Sequence, residues 1–312
     1  MEKTELENFR IKNSDSARKS EDFRHYRKAG KIAAEVVKFA RQLVKPSMAL
    51  LDIAEKIEAK IEELGGKCAF PVNLAINEIA AHSTPSSDSE EEAQGLLKVD
   101  IGVHVNGAIA DTAFSLDLSE KREYKKLIEA SEKALDIATG KIKKGITLSE
   151  IGSAIQGTII EFGFSPIRNL SGHQLGEYLV HAGIAIPNCE NNTLTKIGEG
   201  AYAIEPFATT GAGIVYDGGK SGIYRLEKEA GVRDAGARKI YQFILDEYKT
   251  LPFCERWLTK KFGSRARIAL IFLEKAGILH HYAQLIEKSH APVSQTEHTI
   301  LLTKDKVEVT TR

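Results

Sequence analysis

The sequence predicts an α+β fold in which two related halves share one sheet. Three observations support this prediction. Apolar residues recur at helical spacing in several segments, two alternating segments flank an Asn-Gly pair, and one helical pattern occurs a second time further along the chain. A duplication of this kind favours a ligand cleft between the halves, where residues from both can meet.

Length and composition are typical of a globular protein with one large domain or two smaller ones. The chain has 312 residues, of which 42% are hydrophobic and 28% are charged. Lys plus Arg equals Asp plus Glu, 43 against 43, so no overall field attracts nucleic acid or an anionic membrane. No apolar run reaches the roughly 18 to 20 residues of a membrane span, and the charged N-terminus is unlike a signal peptide. We expect a cytoplasmic protein without a membrane partner.

The first ordered elements are expected to be two helices. Residues 1–19 are polar and aperiodic, which predicts a mobile tail before an ordered domain over residues 20–312. Helical spacing then covers residues 22–44 and 49–64. A glycine pair follows the second segment, and glycine accepts the positive φ found where helices end.

A hairpin follows, and its register can be derived from the sequence. Segments 99–105 and 108–114 alternate around Asn106-Gly107, a pair typical of a two-residue type I′ turn. Such a turn pairs residue 105 with residue 108, so Gly102 faces Asp111, and Asp100 lies on the same face as Asp111. The opposite face is apolar and predicts a core contact; it carries Val99, Ile101, Val103, Val105, Ala110 and Phe114.

The two aspartates have two interpretations. A single aspartate on a hairpin is usually a solvated surface residue, and this interpretation fits either one alone. Two carboxylates on one face of a segment apolar enough to be buried repel each other and need compensation. Cations between Asp100 and Asp111 would supply that compensation, and the glycine opposite leaves room for them.

The second helical pattern repeats the first at a constant offset. Each copy is followed by an extended segment with phenylalanine and proline, at Phe70-Pro71 and at residues 164–166. Amphipathic helices also resemble one another by chance, but the shared flanks favour two related halves. Leu50, Ile53, Ile57, Ile61 and Gly65 correspond to Leu148, Ile151, Ile155, Ile159 and Gly163.

Three further polar residues lie in strand-like surroundings. His173 follows a short apolar segment, Glu205 interrupts an apolar run, and β-branched and apolar residues follow Glu297. Each alone has an ordinary explanation as a structural histidine or a surface acid. A second histidine, His181, lies eight residues after His173.

In order along the chain, these segments resemble the type II methionine aminopeptidases of the pita-bread metallopeptidase family. The match extends over nearly the whole chain after the tail, and several motifs in order are far more specific than any one. The segments are 70–74, 80–85, 100–104, 109–112, 169–173, 181–183, 203–207 and 297–300. The resemblance implies pseudo-twofold halves and a central curved antiparallel sheet covered by helices.

The resemblance also implies a dinuclear metal centre. Asp100 would bind one ion, and Asp111 and Glu297 would bridge both ions. His173 and Glu205 would complete the other site. Four carboxylates roughly neutralise two divalent ions and leave one bridging hydroxide bound. Oxygen ligands with one imidazole suit Mn, Fe(II), Co or Zn, and the sequence does not select among these metals.

The activity implied by the resemblance is removal of the N-terminal methionine from nascent polypeptides with a small second residue. Metal binding lowers the pKa of water from about 15.7 to about 7, so a bridging hydroxide would attack the scissile carbonyl. Glu205 would handle the proton, His181 would stabilise the oxyanion, and His82 would contact the substrate. The methionine pocket would be lined by Phe70, Val180, Ile223 and Tyr282 beside His82 and His181. For Phe70 and Tyr282, an ordinary core position is the alternative.

A long interval between the two glutamates distinguishes the type II class. Residues 226–288 contain helix-patterned runs at 237–248 and 265–276, around Trp257, which predicts an inserted helical subdomain. Its charges are mixed and form no one-sided basic patch, so we expect no direct binding to nucleic acid. A monomer is expected, and ribosome association is left open.

Two positions depart from the family pattern, and two other functions compete with the first. Ser83 replaces a usual tyrosine, and Thr296 replaces an aromatic residue often found before the bridging glutamate. The acidic, serine-rich loop 83–93 is slightly short, so its conformation is not predicted. A proline-specific peptidase of the same fold would share the ligands but commonly has a large extra N-terminal domain. A non-catalytic, protein-binding relative would be expected to lose ligands.

Overall fold

The N-terminal part of the fold consists of two helices packed on an antiparallel sheet. The structure is a computed structural model that describes residues 23–312, and the predicted tail at 1–19 lies outside this range. Helices α1 (Arg24–Leu43) and α2 (Leu50–Glu63) occupy the segments predicted to be helical. They cover a sheet formed by β1 (Lys67–Cys68), β2 (Asn73–Ile76), β4 (Leu96–Val105) and β5 (Ala108–Asp117).

The hairpin of β4 and β5 has the predicted register. Val105 pairs with Ala108, and Gly102 therefore pairs with Asp111. The turn has φ of 50° at Asn106 and 89° at Gly107, positive at both positions as a type I′ turn requires. All six residues of the predicted apolar face are buried in one core with the α1 and α2 side chains; they are Val99, Ile101, Val103, Val105, Ala110 and Phe114.

The second part repeats this arrangement of two helices on a sheet. Helices α3 (Lys125–Lys141) and α4 (Leu148–Glu161) pack on an antiparallel sheet of five strands. The repeated helices α2 and α4 have 14 residues each, and their repeated isoleucines are buried. Both end at a glycine with positive φ, 79° at Gly65 and 84° at Gly163. The five strands of this second sheet are β7 (Ser171–Leu175), β8 (Ala185–Pro187), β9 (Gly200–Ile204), β15 (His298–Leu302) and β16 (Val307–Val309). They lie side by side in the order β16-β15-β9-β7-β8.

The predicted subdomain at 226–288 is helical over most of its length. Helices α5 (Ala235–Glu247), α6 (Glu255–Phe262) and α7 (Arg265–Lys275) share a core of their own with buried residues such as Ile244 and Leu273. The last part of the segment is instead strand β13 (Leu279–Glu287), which pairs with β11 (Val215–Leu226) and β3 (Ile79–Ala81). Helical packing thus ends before the chain returns to the sheet.

The strands described by the structure form four antiparallel sheets rather than one continuous ladder. Proline has no amide hydrogen for a ladder, and Pro206 separates β9 from β10 (Phe207–Thr209). A further break at Thr296 and Glu297 separates β14 (Val293–Gln295) from β15. The remaining strands are β6 (Ser165–Pro166) and β12 (Phe253–Cys254). Between residues 23 and 312, no helix is both long enough and apolar enough to cross a bilayer.

Candidate metal centre

The five predicted metal ligands come from five strands or strand ends that meet at one place. Asp100 and Asp111 lie on the paired strands β4 and β5. His173 lies on β7 and pairs with Ala203 of β9, and Glu205 follows the end of β9. Glu297 lies in the break between β14 and β15, where its backbone N–H donates to the Ala113 carbonyl at 2.9 Å.

The distances between these side chains are short enough for shared cations. Asp111, His173 and Glu297 each place a ligand atom within 4.8 Å of the other two. His173 Nε2 lies 3.4 Å from Glu205 Oε1 and 3.7 Å from Asp111 Oδ2. The backbone therefore brings residues separated by more than a hundred positions in sequence into one polar cluster.

The cluster fits divalent cations because its carboxylates are buried without enough partners. One oxygen each of Asp100, Asp111 and Glu297 is buried and has no hydrogen-bond partner among residues 23–312. Unpaired buried carboxylates are costly, so such groups coordinate metals or take up protons. Oxygen atoms with one imidazole nitrogen are the donor set of Mn, Fe(II), Co or Zn.

The pKa values of the cluster show the same repulsion. Burial raises the pKa of Asp100 to about 7. Burial and the neighbouring charges of Asp100 and Glu205 raise the pKa of Asp111 well above its usual value. The pKa of Glu297 is raised by burial and then by Asp111, Glu205 and Asp100. Without cations, these carboxyl groups hold protons at a pH where isolated acids are ionised.

Two further histidines lie beside the cluster. The rings of His173 and His181 are 4.3 Å apart between centroids, and the rings of His82 and Tyr282 are 5.1 Å apart. Burial lowers the pKa of His181 to about 4, with His82 and Arg225 acting in the same direction. Burial also lowers the pKa of His82 to about 4. Both imidazoles are therefore neutral at pH 7 and can donate a hydrogen bond without carrying a charge.

The cluster lines part of a cavity of about 240 Å³. Every residue predicted for catalysis, metal binding or substrate binding lines this cavity; they are Phe70, His82, Asp100, Asp111, His173, Val180, His181, Glu205, Ile223, Tyr282 and Glu297. Sequence reasoning did not assign Asn169, Phe207, Pro252 or Leu285, which line it as well. Phe207 lies two residues after Glu205, within the segment 203–207 that resembles the family, whereas nothing local in the sequence marks Pro252.

Gly102 has a specific role in the shape of this cavity. A Cβ atom at this position would lie 2.3 Å from the Phe70 ring, closer than any side chain permits. The glycine predicted to leave room between the aspartates therefore also leaves room for an aromatic cavity wall. A larger residue at position 102 would push Phe70 into the cavity.

Hydroxyl and amide side chains hold the metal-binding backbone in place, and sequence reasoning missed them. The Thr299 hydroxyl accepts from the Asp111 N–H at 2.7 Å and donates to the Asp111 carbonyl at 2.8 Å. The Thr112 hydroxyl donates to the Glu297 carbonyl at 2.9 Å. Gln295 Nε2 donates to Asp100 Oδ2 at 3.5 Å. The signal available in the sequence was the presence of these polar residues within strands that are otherwise buried.

The two departures from the family pattern have local partners. Gln284 Nε2 donates to the Ser83 hydroxyl at 3.3 Å. Thr296 is buried, and its hydroxyl lies 2.9 Å from the Ser131 hydroxyl of α3. In loop 83–93, the Arg267 side chain forms an ion pair with Asp88 at 2.9 Å. None of these changes removes a candidate ligand.

Comparison with known proteins gives the family. A sequence model of metallopeptidase family M24 matches residues 24–237. The methionine aminopeptidase of Pyrococcus horikoshii is 45% identical over 289 residues, which covers 91% of this chain and 97% of that enzyme. The methionine aminopeptidase of Methanocaldococcus jannaschii is 44% identical over 287 residues, which covers 91% of this chain and 96% of that enzyme. The chain belongs to metallopeptidase family M24, among its methionine aminopeptidases. This M24 chain is a metal-dependent hydrolase, and both that class and its need for divalent metal ions were predicted.

Solved structures confirm the pita-bread fold of this M24 chain. A thermophilic Arx1 matches with a TM-score of 0.78 at 17% identity, covering 92% of this chain and 89% of that one. A methionine aminopeptidase from Thermotoga maritima matches with a TM-score of 0.64 at 21% identity, covering 92% of this chain and 94% of that one. A prolidase from Pyrococcus furiosus matches with a TM-score of 0.59 at 17% identity, covering 98% of this chain but 67% of the prolidase. At these identities the similarity concerns the fold.

Proposed function

We propose that this chain removes the N-terminal methionine from nascent polypeptides and prefers a small second residue. The observation that carries the proposal is the convergence of five candidate ligands in a cavity whose other walls are largely apolar. The curated relatives are methionine aminopeptidases, and the chain aligns with nearly their whole length. A free N-terminus and an apolar first side chain are the two features that such a cavity can recognise together.

The metal ligands are proposed as follows. Asp100 would hold one ion, Asp111 and Glu297 would be shared by both ions, and His173 with Glu205 would complete the second site. The three unpartnered oxygens of Asp100, Asp111 and Glu297 support this assignment. When bound, the ions supply Lewis-acid polarisation of the carbonyl and activation of a water molecule at neutral pH.

The chain's own side chains provide proton transfer and charge stabilisation. Glu205 is proposed to take the proton of the attacking water and to pass it to the leaving amine, since its carboxylate lies within the ligand cluster, 3.4 Å from His173 Nε2. His181 is neutral at pH 7 and is proposed to donate a hydrogen bond to the developing oxyanion. His82, in contact with Tyr282, is proposed to contact the substrate near the scissile bond.

The first side chain is proposed to enter the apolar end of the cavity. Phe70, Val180, Ile223 and Tyr282 supply two aromatic and two branched aliphatic side chains there. An unbranched thioether adapts to irregular apolar walls. Burying it contributes about 1.5–3 kcal/mol to binding. An acidic first residue would lose its hydration without gaining a cationic partner among these four side chains.

The setting of the reaction is also a proposal. We place it in the cytoplasm, acting on nascent chains as a monomer without direct nucleic-acid contacts. Association with the ribosome is left open. Analytical ultracentrifugation and sedimentation with ribosomes would measure the oligomeric state and that association directly.

Metal-depleted protein supplied with Mn²⁺, Co²⁺, Zn²⁺ or Fe²⁺ in turn tests the activity. We expect free methionine from a peptide that begins Met-Ala, a much slower release from one that begins Met-Leu, and little cleavage of Ala-Pro. Cleavage of Ala-Pro without methionine release would replace the proposal by a proline-specific peptidase. Metal binding with no cleavage of any peptide would favour a protein-binding role.

A further inference from the structure

A buried ion pair joins the inserted helices to the N-terminal helices. Arg256 of α6 is 3% exposed and donates to Glu58 of α2 through two bonds, Nη1 to Oε2 at 2.6 Å and Nη2 to Oε1 at 2.9 Å. Trp257 Nε1 also donates to Glu58 Oε2 at 2.8 Å. Neither charged residue lines the cavity of the proposed reaction.

The same two side chains hold the two segments that carry cavity walls. Glu58 Oε1 accepts from the Val72 N–H at 3.3 Å, two residues after Phe70. Arg256 Nε donates to the Pro85 carbonyl at 3.1 Å, and its Nη2 donates to the Thr84 hydroxyl at 3.3 Å. Segments 70–72 and 82–85 are therefore bound to one charge pair.

The Thr84 hydroxyl closes this network by donating to the Val72 carbonyl at 2.8 Å. Segments 70–72 and 82–85 are thus also bonded directly to each other. Since Phe70 and His82 lie at the cavity ends of these segments, a shift of the ion pair would reach both residues. Other bonds run beside this network: the Ser83 N–H donates to Asn73 Oδ1 at 3.2 Å, and the Leu74 N–H donates to the Ser83 carbonyl at 2.7 Å.

His82 has a backbone conformation that is uncommon for residues other than glycine. Its φ is 57°, in the left-handed region, where histidine occurs more often than most residues but still at a cost in conformational energy. Strained backbone persists where surrounding bonds determine it, and it is common at functional sites. A buried ion pair by itself stabilises little more than a well-packed apolar pair would. Its placement on these two segments therefore points to positioning.

We infer that Glu58 and Arg256 are positioning residues that set the pocket for the first side chain, through Val72 and Thr84. The inference rests on the proposed function, because it assigns the pocket to methionine. The inserted helices thereby contribute to substrate selection without lining most of the pocket. Arginine suits this task better than lysine, since its planar fork reaches two carboxylate oxygens and further acceptors at once.

The test compares Arg256→Lys with the wild-type protein, both loaded with Mn²⁺. Lysine keeps the charge and can meet Glu58, but it cannot also reach Pro85 and Thr84. We expect affinity for free L-methionine, measured by calorimetry, to fall about tenfold and kcat/KM for a Met-Ala peptide to fall about 10- to 100-fold. Affinity for Mn²⁺ should stay within twofold.

Thr84→Val is the second variant, since it removes only the hydroxyl link and keeps the side-chain shape. It should lose methionine affinity in the same direction as Arg256→Lys, and it serves alone if the lysine variant does not fold. Leu273→Ala is the control: it opens the core of the inserted helices and lowers Tm but touches neither segment. Its methionine affinity should equal that of the wild type at a temperature where both are folded.

Two results would overturn the inference while leaving the proposed function intact. One is wild-type methionine affinity and turnover in both folded variants. The other is an equal loss in Leu273→Ala, which would assign the effect to general stability. A wild-type protein that neither binds methionine nor releases it would instead overturn the proposed function, and the inference with it.

Discussion

Asp111 shows how function and stability oppose each other at a single residue. Its side chain is buried, and the charges of Asp100 and Glu205 raise its pKa. Asp111→Asn removes one of these repelling charges, so the metal-free variant should unfold at a higher temperature than the metal-free wild type at pH 8. The same variant should lose more than about 100-fold in Mn²⁺ affinity, since even outer partners of metal ligands contribute 10- to 100-fold.

The matched control for this variant is Asp117→Asn on the same strand. Asp117 is also buried, but its carboxylate accepts hydrogen bonds from Ser119 and from the Tyr124 N–H. It should lose stability and keep its Mn²⁺ affinity. Calorimetric unfolding and metal titration of both variants give the comparison, and equal metal affinity in the two would contradict the assignment of Asp111.

His181 gives a second prediction at this scale. The imidazole of His181 lies against His173 and is uncharged at pH 7. His181→Ala should therefore remove a hydrogen bond to the oxyanion and little else. We expect kcat to fall about 10²- to 10³-fold, the effect of losing one oxyanion donor. Metal content by mass spectrometry should be unchanged. An unchanged kcat at full metal content would show that the role belongs to another residue.

At the scale of elements, the turn of the β4–β5 hairpin connects the sheet to the loop that carries His181. Gly107 has a φ of 89°, its carbonyl accepts from the Tyr178 N–H at 2.8 Å, and an added Cβ would lie 2.4 Å from the Tyr178 ring. Gly107→Ala should therefore lower the free energy of unfolding by about 1–3 kcal/mol, from backbone strain and this collision.

Gly140→Ala is the control for the turn variant. Gly140 lies in α3, and an added Cβ would meet nothing within 4 Å. Because alanine favours the helix and restricts the unfolded chain, this variant should gain about 0.4–1 kcal/mol. Urea unfolding measures both. A turn variant as stable as the wild type would show that the Asn-Gly geometry is not required.

Elements with local causes were predictable from the sequence, and those with long-range causes were not. The hairpin register follows from two turn residues, and the helices α2 and α4 follow from apolar spacing. The separation of β9 and β15 from β10 and β14 into two sheets depends on Pro206 and on the break at Glu297, whose bridge to Ala113 joins residues far apart in sequence. The candidate ligand set came from a family resemblance, since no spacing rule brings His173 to Asp111. Thr299 and Arg256 were missed because their partners are remote.

At the scale of the whole molecule, metal binding and folding are coupled. Protons and cations compete for Asp100, whose pKa is raised to about 7, and for the other raised carboxyls. Metal affinity therefore increases with pH, because binding displaces protons. The rise in Tm caused by a fixed Mn²⁺ concentration should grow between pH 5.5 and pH 8.

The size of this effect can be estimated. At a metal concentration of about 100 times Kd, binding adds about 2.7 kcal/mol, which corresponds to a Tm shift of roughly 4 °C for a chain of this length. The comparison of Tm with and without metal at the same pH cancels the effect of groups that titrate away from the site. Scanning calorimetry measures the shift. A shift independent of pH, or one of equal size in Asp111→Asn, would place the metal elsewhere.

The whole account depends on two cations bound among five side chains. Anomalous diffraction from crystals grown with Mn²⁺, recorded at the manganese absorption edge, locates these ions directly. We predict two peaks inside the cavity, both in contact with Asp111 and Glu297, with Asp100 on one and His173 and Glu205 on the other. Peaks outside the cavity, or none there at saturating Mn²⁺, would contradict the account.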